Sequence, residues 1–201
     1  MSECSPSITV PNMYRPDKAY SSGQLVRGCE YRIVDGELQV KSPSVMIGYV
    51  NAPDLTKEIL TEDGWLCTGD LGYVDEERFL FITGRKKNLI ILSNGENVAP
   101  EQIENRLLDH QLVEECLVYG EGNQVVAEIY PNDKYAKLHN IKNVLGELDK
   151  IIDDVNSKLE SYKKIMKHHV RKNPFLKTST NKVIRNQRVK PEDILSSESD
   201  K

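Results

Sequence analysis

The sequence predicts an α+β protein in two parts, a mostly β part that ends near Arg85 and an α+β part that follows it. Before Arg85, short runs of β-branched and aromatic residues are separated by turn-forming residues, which is typical of strands. After it, short apolar runs alternate with segments whose apolar residues recur every three or four positions, as in amphipathic helices. The polar residues 192–201 show neither pattern, and we expect a disordered tail there.

Short strands are expected to dominate the first part. Residues 30–41 predict a β-hairpin, because alternating runs flank Asp35 and Gly36, a dipeptide that favours the tight turns of hairpins. Residues 54–60 predict a short helix with Asp54 as its N-cap. This part of the chain is therefore expected to contain little helix.

The second part is expected to alternate between strands and helices. Its predicted elements are a strand at 88–92, a helix opened by Pro100, a strand pair at 115–119 and 124–130, and a long amphipathic helix over 144–165. The long helix rests on apolar residues spaced by threes and fours, with charged residues on the other face. We expect this apolar stripe to face the core of the second part.

Composition and charge limit the classes of function. With 201 residues, the chain could form one domain or two small ones. Its net charge of −4 argues against a general nucleic-acid binder, because affinity for the phosphate backbone rests on excess Lys and Arg. No nucleic acid is therefore expected among its partners.

The cysteines and the apolar runs bear on location. Cys4, Cys29, Cys67 and Cys116 include no closely spaced pair, so they predict reduced cysteines rather than disulfides or a zinc site. No apolar run approaches the roughly 20 residues of a membrane span. We therefore expect a cytoplasmic protein, with a peripheral membrane contact left open.

Three short segments carry the most information about function. They are Gly-Trp-Leu-Cys-Thr-Gly-Asp at 64–70, Thr-Gly-Arg-Lys-Lys at 83–87 and Asn-Gly-Glu-Asn-Val-Ala-Pro-Glu at 94–101. The carboxylate of Asp70 follows a glycine, and its oxygens can accept hydrogen bonds from both vicinal hydroxyls of a ribose. From this residue alone, an Asx-turn is the alternative explanation.

In this order, the segments resemble the adenylate-forming ligases, which include acyl-CoA synthetases, firefly luciferase and the adenylation domains of peptide synthetases. A further segment at 176–185, Leu-Lys-Thr-Ser-Thr-Asn-Lys-Val-Ile-Arg, is similar to the family motif that carries the adenylation lysine. The sequences at 84–90 and 94–98 are most similar to bacterial long-chain fatty acyl-CoA synthetases. The resemblance covers about residues 1–191, because the matching segments occur in the family's order along that length.

The resemblance implies both a fold and a reaction. Residues 1–84 would form the distal β subdomain of the large N-terminal AMP-binding domain. Residues 85–191 would form the small α+β C-terminal lid domain, with a hinge near 85–87. The enzyme would activate a carboxylic acid, such as a fatty acid, with ATP to give acyl-adenylate and pyrophosphate, and would then form a thioester with CoA. ATP or AMP, Mg²⁺ and CoA are therefore the expected ligands.

The resemblance also implies roles for individual residues. Asp70 and Arg85 would bind the ribose, and Ile82 would pack against the nucleoside. Lys87 would be the hinge residue, whose backbone torsions rotate the lid domain between two poses. Lys182 would be catalytic, as a cation between the acyl carboxylate and the α-phosphate.

The remaining expected site residues are a glycine and two residues near the start of the chain. Gly95 would let the backbone run close to the thiol arm of CoA. Before Lys182 the family commonly has Gly where this chain has Asn181, and Asn also tolerates positive φ, so we expect the loop shape to survive. The first residues resemble the end of a family motif in which Ser2 would lie near the AMP phosphate and Glu3 would help to hold Mg²⁺.

The sequence shows no Gly/Ser/Thr-rich phosphate loop that ends in Lys. We therefore expect the C-terminal part of a ligase that is inactive alone, with the missing N-terminal part of the same ligase as its partner. One alternative is a non-enzymatic module that binds nucleotide or docks on a partner. A second alternative is an adenylation enzyme that loads a carrier protein instead of CoA.

Overall fold

The computed structural model describes residues 1–5 and 7–195 of the chain. The chain divides into two compact units, Met1–Asn88 and Leu89–Lys201. The division lies directly after the short 3₁₀ helix Lys86–Asn88, next to the segment expected to be the hinge. Within the described residues, no helix has the length and apolarity that crossing a membrane requires.

The first unit is built around a four-stranded antiparallel sheet. Its elements in chain order are β1 (Thr9–Val10), β2 (Gln24–Leu25), β3 (Glu30–Val34), β4 (Glu37–Lys41), α1 (Pro53–Ile59), β5 (Leu66–Val74) and β6 (Leu80–Arg85). The strands of the main sheet follow the order β3–β4–β5–β6, and β1 pairs with β2 in a small separate sheet. The core of this unit includes Leu38, Val40, Leu66 and Leu80.

The predicted hairpin at residues 30–41 is confirmed. Asp35 has φ +50° and Gly36 has φ +78°, as a two-residue turn with both central residues in the left-handed region requires. The predicted N-cap of the following helix is wrong. Helix α1 begins at Pro53 after Ala52, so Asp54 is its second residue, because proline suits the first helical position, where a backbone N–H would have no partner within the helix.

The second unit combines a three-stranded sheet with helices. Its elements in chain order are β7 (Ile90–Ile91), β8 (Asn97–Val98), α2 (Pro100–Leu108), β9 (Val113–Glu121), β10 (Gln124–Pro131), α3 (Asp133–Leu138), α4 (Val144–Ser157) and β11 (Ile165–Val170). The sheet follows the order β11–β10–β9, in which β10 runs antiparallel to β9 and parallel to β11. The predicted α+β class is therefore confirmed.

The long helix predicted over 144–165 ends earlier, because α4 stops at Ser157. The Asn156 side chain accepts from the Ile165 N–H and donates to the Ile165 carbonyl, which ties the first residue of β11 to the end of the helix. Tyr162 and Ile165 pack against the same core as the helix. Their apolar spacing therefore extends the helical pattern past the true end of α4.

The two faces of the three-stranded sheet have different cover. One face packs against α2 and α4 through residues such as Val118, Ala127 and Ile129. The other face is covered by the segment 171–189, whose Phe175 and Val183 pack against neighbouring side chains of β9 and β10. This segment contains the expected adenylation motif, which is thus attached to the face of the sheet opposite the helices.

The expected disordered tail, residues 192–201, differs from the structure in its first part. Pro191–Asp193 form a 3₁₀ turn, and the Leu195 N–H donates to the Val170 carbonyl at 2.8 Å. These backbone hydrogen bonds attach the segment to the end of β11, which its polar composition did not indicate. The last part of the expected tail, 196–201, lies outside the described residues.

Candidate functional site

Asp70 and Arg85 lie directly opposite each other on the neighbouring strands β5 and β6. The Nε of Arg85 is 2.6 Å from Oδ1 of Asp70. The Asp70 side chain is 17% exposed, whereas the Arg85 side chain is 46% exposed. The structure therefore brings the two expected ribose-binding residues together and keeps guanidinium N–H groups at the surface.

Glu37 is a buried residue beside this pair that the sequence analysis did not identify. Its Oε1 accepts the Gly69 N–H at 2.9 Å, and its Oε2 accepts Lys86 Nζ at 2.8 Å. The hydrogen bond to Glu37 raises the pKa of Lys86 above its usual value. Glu37 thus holds the residue before Asp70 and the residue after Arg85, an arrangement that no sequence spacing could reveal.

A glycine is needed next to Asp70. Gly69 has φ +70°, in the left-handed region where side chains with a Cβ are strained. The Thr68 hydroxyl donates to the Leu38 carbonyl at 2.7 Å and accepts the Asp70 N–H at 3.1 Å. The backbone around Asp70 is therefore held from both sides, which fixes the direction of its carboxylate.

A pocket of about 270 Å³ opens beside the pair and is lined by Gly69, Arg85, Lys86 and Lys87. Three of its four lining residues are cations, so an anionic ligand would be attracted to it. In the ladder between β5 and β6, Leu71 pairs with Gly84 and Gly72 with Ile82, which makes Thr83 the extra residue of a bulge. Side chains of a strand alternate between the two faces of the sheet, and the bulge shifts this alternation by one residue. The side chain of Ile82, 38% exposed, therefore lies on the same face of the sheet as that of Arg85.

Ser2 and Glu3 lie in a 3₁₀ turn at the start of the first unit. The Tyr49 hydroxyl donates to Oε1 of Glu3 at 2.9 Å. The pKa of Glu3 is lowered by its backbone N–H, then by this hydroxyl, with a smaller contribution from the charge of Arg85. The Glu3 carboxylate is therefore held by Tyr49, in the same unit as Asp70 and Arg85.

The donor set can be tested against the expected Mg²⁺ ion. The described part of the chain contains no group of three or more His, Cys, Asp or Glu side chains that could hold a metal. Mg²⁺ in nucleotide enzymes is usually held by one or two carboxylates together with substrate phosphates and water. A single carboxylate from Glu3 fits that arrangement, whereas a metal centre built by this chain alone would not.

In the second unit, Gly95 occupies the turn between β7 and β8. Its N–H donates to the Leu92 carbonyl at 2.9 Å, and its φ is +84°. A Cβ at this position would meet no other atom within 4 Å, so the backbone conformation rather than crowding requires glycine. The turn therefore presents open backbone at the surface, as the expected role of Gly95 requires.

Lys182 lies in a short surface hairpin closed by a bridge between Lys177 and Val183. The Thr178 N–H donates to the Lys182 carbonyl at 2.8 Å, and the Lys182 N–H donates to the Thr178 hydroxyl at 3.2 Å. Asn181 has φ +62°, so the expectation that Asn replaces Gly in the left-handed region is confirmed. The structure shows no carboxylate paired with the Lys182 ammonium within the part of the chain that it describes.

The chain is similar to known ligases over much of its length. Residues 87–191 match the family described as the AMP-binding enzyme C-terminal domain. The 2-succinylbenzoate–CoA ligase of Bacillus cytotoxicus is 42% identical over 140 residues, which cover 64% of this chain and 29% of that protein. The corresponding ligase of Bacillus cereus is 44% identical over 131 residues, 60% of this chain and 27% of that protein. The chain thus spans less than a third of the curated relatives that it matches.

The fold is also similar to that of a solved ligase. The structure of O-succinylbenzoate coenzyme A synthetase from Bacillus subtilis in complex with AMP matches with a TM-score of 0.79 and 30% identity. The match covers 98% of this chain and 41% of that one. The predicted architecture, a β subdomain followed by an α+β lid domain of an adenylate-forming ligase, is therefore confirmed.

The narrower expectation of a long-chain fatty acyl-CoA synthetase finds no support in these relatives, which are named for 2-succinylbenzoate. That expectation rested on segments whose implied roles concern the nucleotide, the hinge and the thiol, and such segments carry no information about the acid. The family match, by contrast, spans residues 87–191, which are 105 of the 201 residues. The chain therefore belongs to the AMP-binding enzymes, and its residues 87–191 are their C-terminal domain.

Proposed function

We propose that this chain is the C-terminal part of an ATP-dependent acyl-CoA ligase. Such an enzyme converts a carboxylate and ATP to acyl-adenylate and pyrophosphate, and then forms a thioester with CoA. The names of the relatives support this proposal, because they are CoA ligases and one solved relative is in complex with ATP and a magnesium ion. The observation that carries it is the Asp70–Arg85 pair, joined at 2.6 Å beside a cationic pocket.

The first unit would bind and orient the nucleotide. A carboxylate can accept about four hydrogen bonds, so Asp70 can bind ribose hydroxyls while it also accepts from Arg85. The exposed guanidinium of Arg85 would donate to the same nucleotide, and the side chain of Ile82 would offer apolar surface to the nucleoside. ATP supplies the phosphoanhydride bond whose cleavage drives the activation. Glu3 would contribute one ligand to Mg²⁺, with Ser2 beside the α-phosphate.

The second unit would act in both half-reactions. Lys182 would stabilise negative charge on the acyl carboxylate and the α-phosphate as pyrophosphate leaves, a role that suits a point charge on a flexible stem. In the second pose, the open backbone at Gly95 would let the thiol arm of CoA approach. Lys87, in the short 3₁₀ helix next to the division between the units, would be the hinge residue.

The acid itself is proposed only as a carboxylic acid. The relatives' names point to 2-succinylbenzoate rather than to a fatty acid. By the resemblance, the acyl pocket belongs to the part of the ligase that precedes this chain, so the similarity of this chain does not extend to acid selection. We also place the ligase in the cytoplasm, on the basis of its unpaired cysteines.

The test is a chimera in which this chain replaces the matching 41% of the Bacillus subtilis O-succinylbenzoate coenzyme A synthetase. We expect the chimera to catalyse carboxylate-dependent ATP–pyrophosphate exchange and CoA thioester formation. Lys182→Ala should lower the exchange rate by about 100-fold or more, because it removes a charge that stabilises the transition state. The matched control is Lys142→Ala, which removes an exposed lysine outside the proposed site. A folded chimera with no exchange activity would contradict the proposal.

Two alternatives are separated by further measurements. A non-enzymatic nucleotide-binding module predicts that the isolated chain binds AMP, that Asp70→Ala abolishes binding, and that the chimera shows no turnover. An enzyme that loads a carrier protein predicts normal ATP–pyrophosphate exchange in the chimera without CoA thioester. The isolated chain should show no exchange on its own, because it lacks a phosphate loop.

A further inference from the structure

The segment that carries Lys182 has an unusual charge composition. Residues 171–190 contain seven Lys or Arg residues and no Asp or Glu. Glu101 of α2 lies 3.9 Å from Arg185, and the other counter-charges come from three buried glutamates elsewhere in the second unit, one each on α2, β9 and β10. These are Glu104 and Glu115, each 8% exposed, and Glu128, 0% exposed. Buried carboxylates are costly unless they are paired, so their partners show what they hold in place.

Glu115 holds the chain just before the Lys182 hairpin. Its Oε2 accepts the Phe175 N–H at 2.8 Å, and its Oε1 forms an ion pair with Lys177. Lys177 is also one side of the bridge to Val183 that closes the hairpin. One carboxylate on β9 therefore fixes both the entry of the backbone and the first strand of the hairpin.

Glu104 holds the chain just after the hairpin. Its two carboxylate oxygens accept both terminal nitrogens of Arg185, at 2.9 and 3.0 Å. Oε1 also accepts the Val118 N–H at 2.8 Å, and Arg185 donates to the Val118 carbonyl at 3.0 Å. The bidentate pair therefore attaches the second strand of the hairpin to the edge of β9.

Together, the two contacts leave one cation of the hairpin for a ligand. Residues 176–185 contain Lys177, Lys182 and Arg185. The structure neutralises the first with Glu115 and the third with Glu104, whereas it pairs no carboxylate of the described chain with Lys182. The location of the Lys182 ammonium is thus set through the hairpin backbone, which the two glutamates fix at both ends. Glu128 differs, because its partners Arg171, Tyr119 and Val189 lie outside the hairpin.

We propose that Glu104 and Glu115 are positioning residues that aim Lys182 for the adenylation step by holding the two ends of its hairpin. The proposal rests on the adenylation role proposed above for Lys182. Displacement of a catalytic group by about 1 Å can cost about 100-fold in rate, so a hairpin held at only one end would slow the step that uses Lys182. The thioester step, for which Gly95 is proposed, does not depend on this hairpin.

The first test measures the hairpin in this chain by amide hydrogen exchange. In Glu115→Gln and Glu104→Gln, the amides of Thr178, Lys182 and Ile184 should exchange about tenfold faster or more, while those of β10, and those of β9 other than Val118, which donates to Glu104 itself, do not change. The control Glu121→Gln removes an exposed pair with Lys167 and should leave the hairpin amides unchanged. Hairpin amides that keep their wild-type rates would overturn the proposal, and so would equal acceleration throughout the sheet.

Loss of a buried carboxylate could unfold the whole unit, so a second variant tests the same contact without changing a buried carboxylate. Arg185→Gln removes the same ion pair by changing Arg185, whose side chain is more exposed than that of Glu104, at 30%. We expect it to accelerate exchange of the hairpin amides as Glu104→Gln does. Exchange at the wild-type rate in Arg185→Gln would contradict the proposed role of this pair.

The final test separates the two half-reactions in the chimeric ligase. Glu104→Gln and Glu115→Gln should lower kcat for ATP–pyrophosphate exchange about tenfold or more, but leave thioester formation from supplied acyl-adenylate unchanged. Equal losses in both half-reactions would overturn the positioning role. If Lys182→Ala itself leaves exchange intact, the proposed function fails, whereas the amide exchange of the hairpin still tests the structural contacts by themselves.

Discussion

The Glu37 carboxylate offers the sharpest test of how the first unit holds its candidate nucleotide site. Glu37 is 5% exposed and accepts from the Gly69 N–H and from Lys86. Three substitutions separate the two contacts. Glu37→Leu removes both, Glu37→Gln keeps one oxygen acceptor without charge, and Lys86→Gln removes only the ion pair.

The expected magnitudes follow from the exposure of each partner. A hydrogen bond to a charged group contributes about 1.5–3 kcal/mol, so loss of the Gly69 contact in Glu37→Leu should cost about that amount. The Lys86 side chain is 58% exposed, and its ion pair is therefore worth less than about 1 kcal/mol after solvent screening. Glu37→Gln should cost about 1 kcal/mol, because a neutral hydrogen bond replaces a charged one.

The assay is urea unfolding followed by tryptophan fluorescence. The chain has one tryptophan, Trp65, which lies in the first unit, so its signal reports unfolding of that unit. The guanidinium of Arg32 lies 4.4 Å from the centre of the Trp65 ring. Unfolding removes this contact, so the fluorescence of Trp65 should change. The free energy of unfolding is compared among the three variants at constant slope against urea.

The result that would refute this reasoning is a reversed order of costs. If Lys86→Gln destabilises the unit as much as Glu37→Leu, the ion pair rather than the Gly69 amide carries the effect. If Glu37→Leu costs less than about 0.5 kcal/mol, the carboxylate does not hold the backbone beside Asp70. In either case, the account of how Asp70 is positioned would be wrong.

Three further predictions concern acidity, backbone conformation and thiol reactivity. Arg15 and Lys18 lower the pKa of Glu77 to about 2, so this carboxylate should stay ionised at pH 4 by ¹³C NMR, and in Arg15→Gln it should titrate closer to its ordinary pKa of 4.5. The depressed pKa means that its stabilising effect is complete above 4.5 and is lost as the pH falls towards 2; an unshifted titration in the wild type would contradict this. Asn181→Val should destabilise the hairpin by about 1 kcal/mol, because valine is strained at the positive φ of this position, whereas Asn181→Gly should not destabilise it. The measurement is hydrogen exchange of the Lys182 amide, which should be faster in Asn181→Val. A thiol reagent should modify half-buried Cys67 before the other three cysteines, which are buried, and equal labelling of all four by mass spectrometry would refute the burial pattern.

Much of the fold could be predicted because local patterns determined it. The hairpin at 30–41 was predictable because Asp35 and Gly36 both suit the left-handed region. The start of α2 was predictable because Pro100 suits the first position of a helix. The end of α4 was not, because Tyr162 and Ile165 bury against the core of the helix after the chain has left the helix. The spacing of apolar residues shows which residues are buried. It does not show where a helix ends when the strand that follows packs on the same core.

The candidate site divides in the same way. Motif order alone indicated Asp70, Arg85, Gly95 and Lys182, because these residues lie in segments whose types and spacing suit one chemistry. The 2.6 Å contact between Asp70 and Arg85 needed the pairing of β5 with β6. Whether these residues act in the proposed roles stays a prediction.

The sequence by itself determined the family, the type of several strands and helices, and the residues that carry chemical groups, because each depends on neighbours a few positions apart. Only the tertiary structure decided which carboxylates hold those residues in place. Glu37 lies 32 positions from Gly69, and Glu104 lies 81 positions from Arg185. A glutamate in a strand or helix has the same local pattern whether it is solvated or buried, and only the folded chain supplies the N–H groups and cations that make its burial stable.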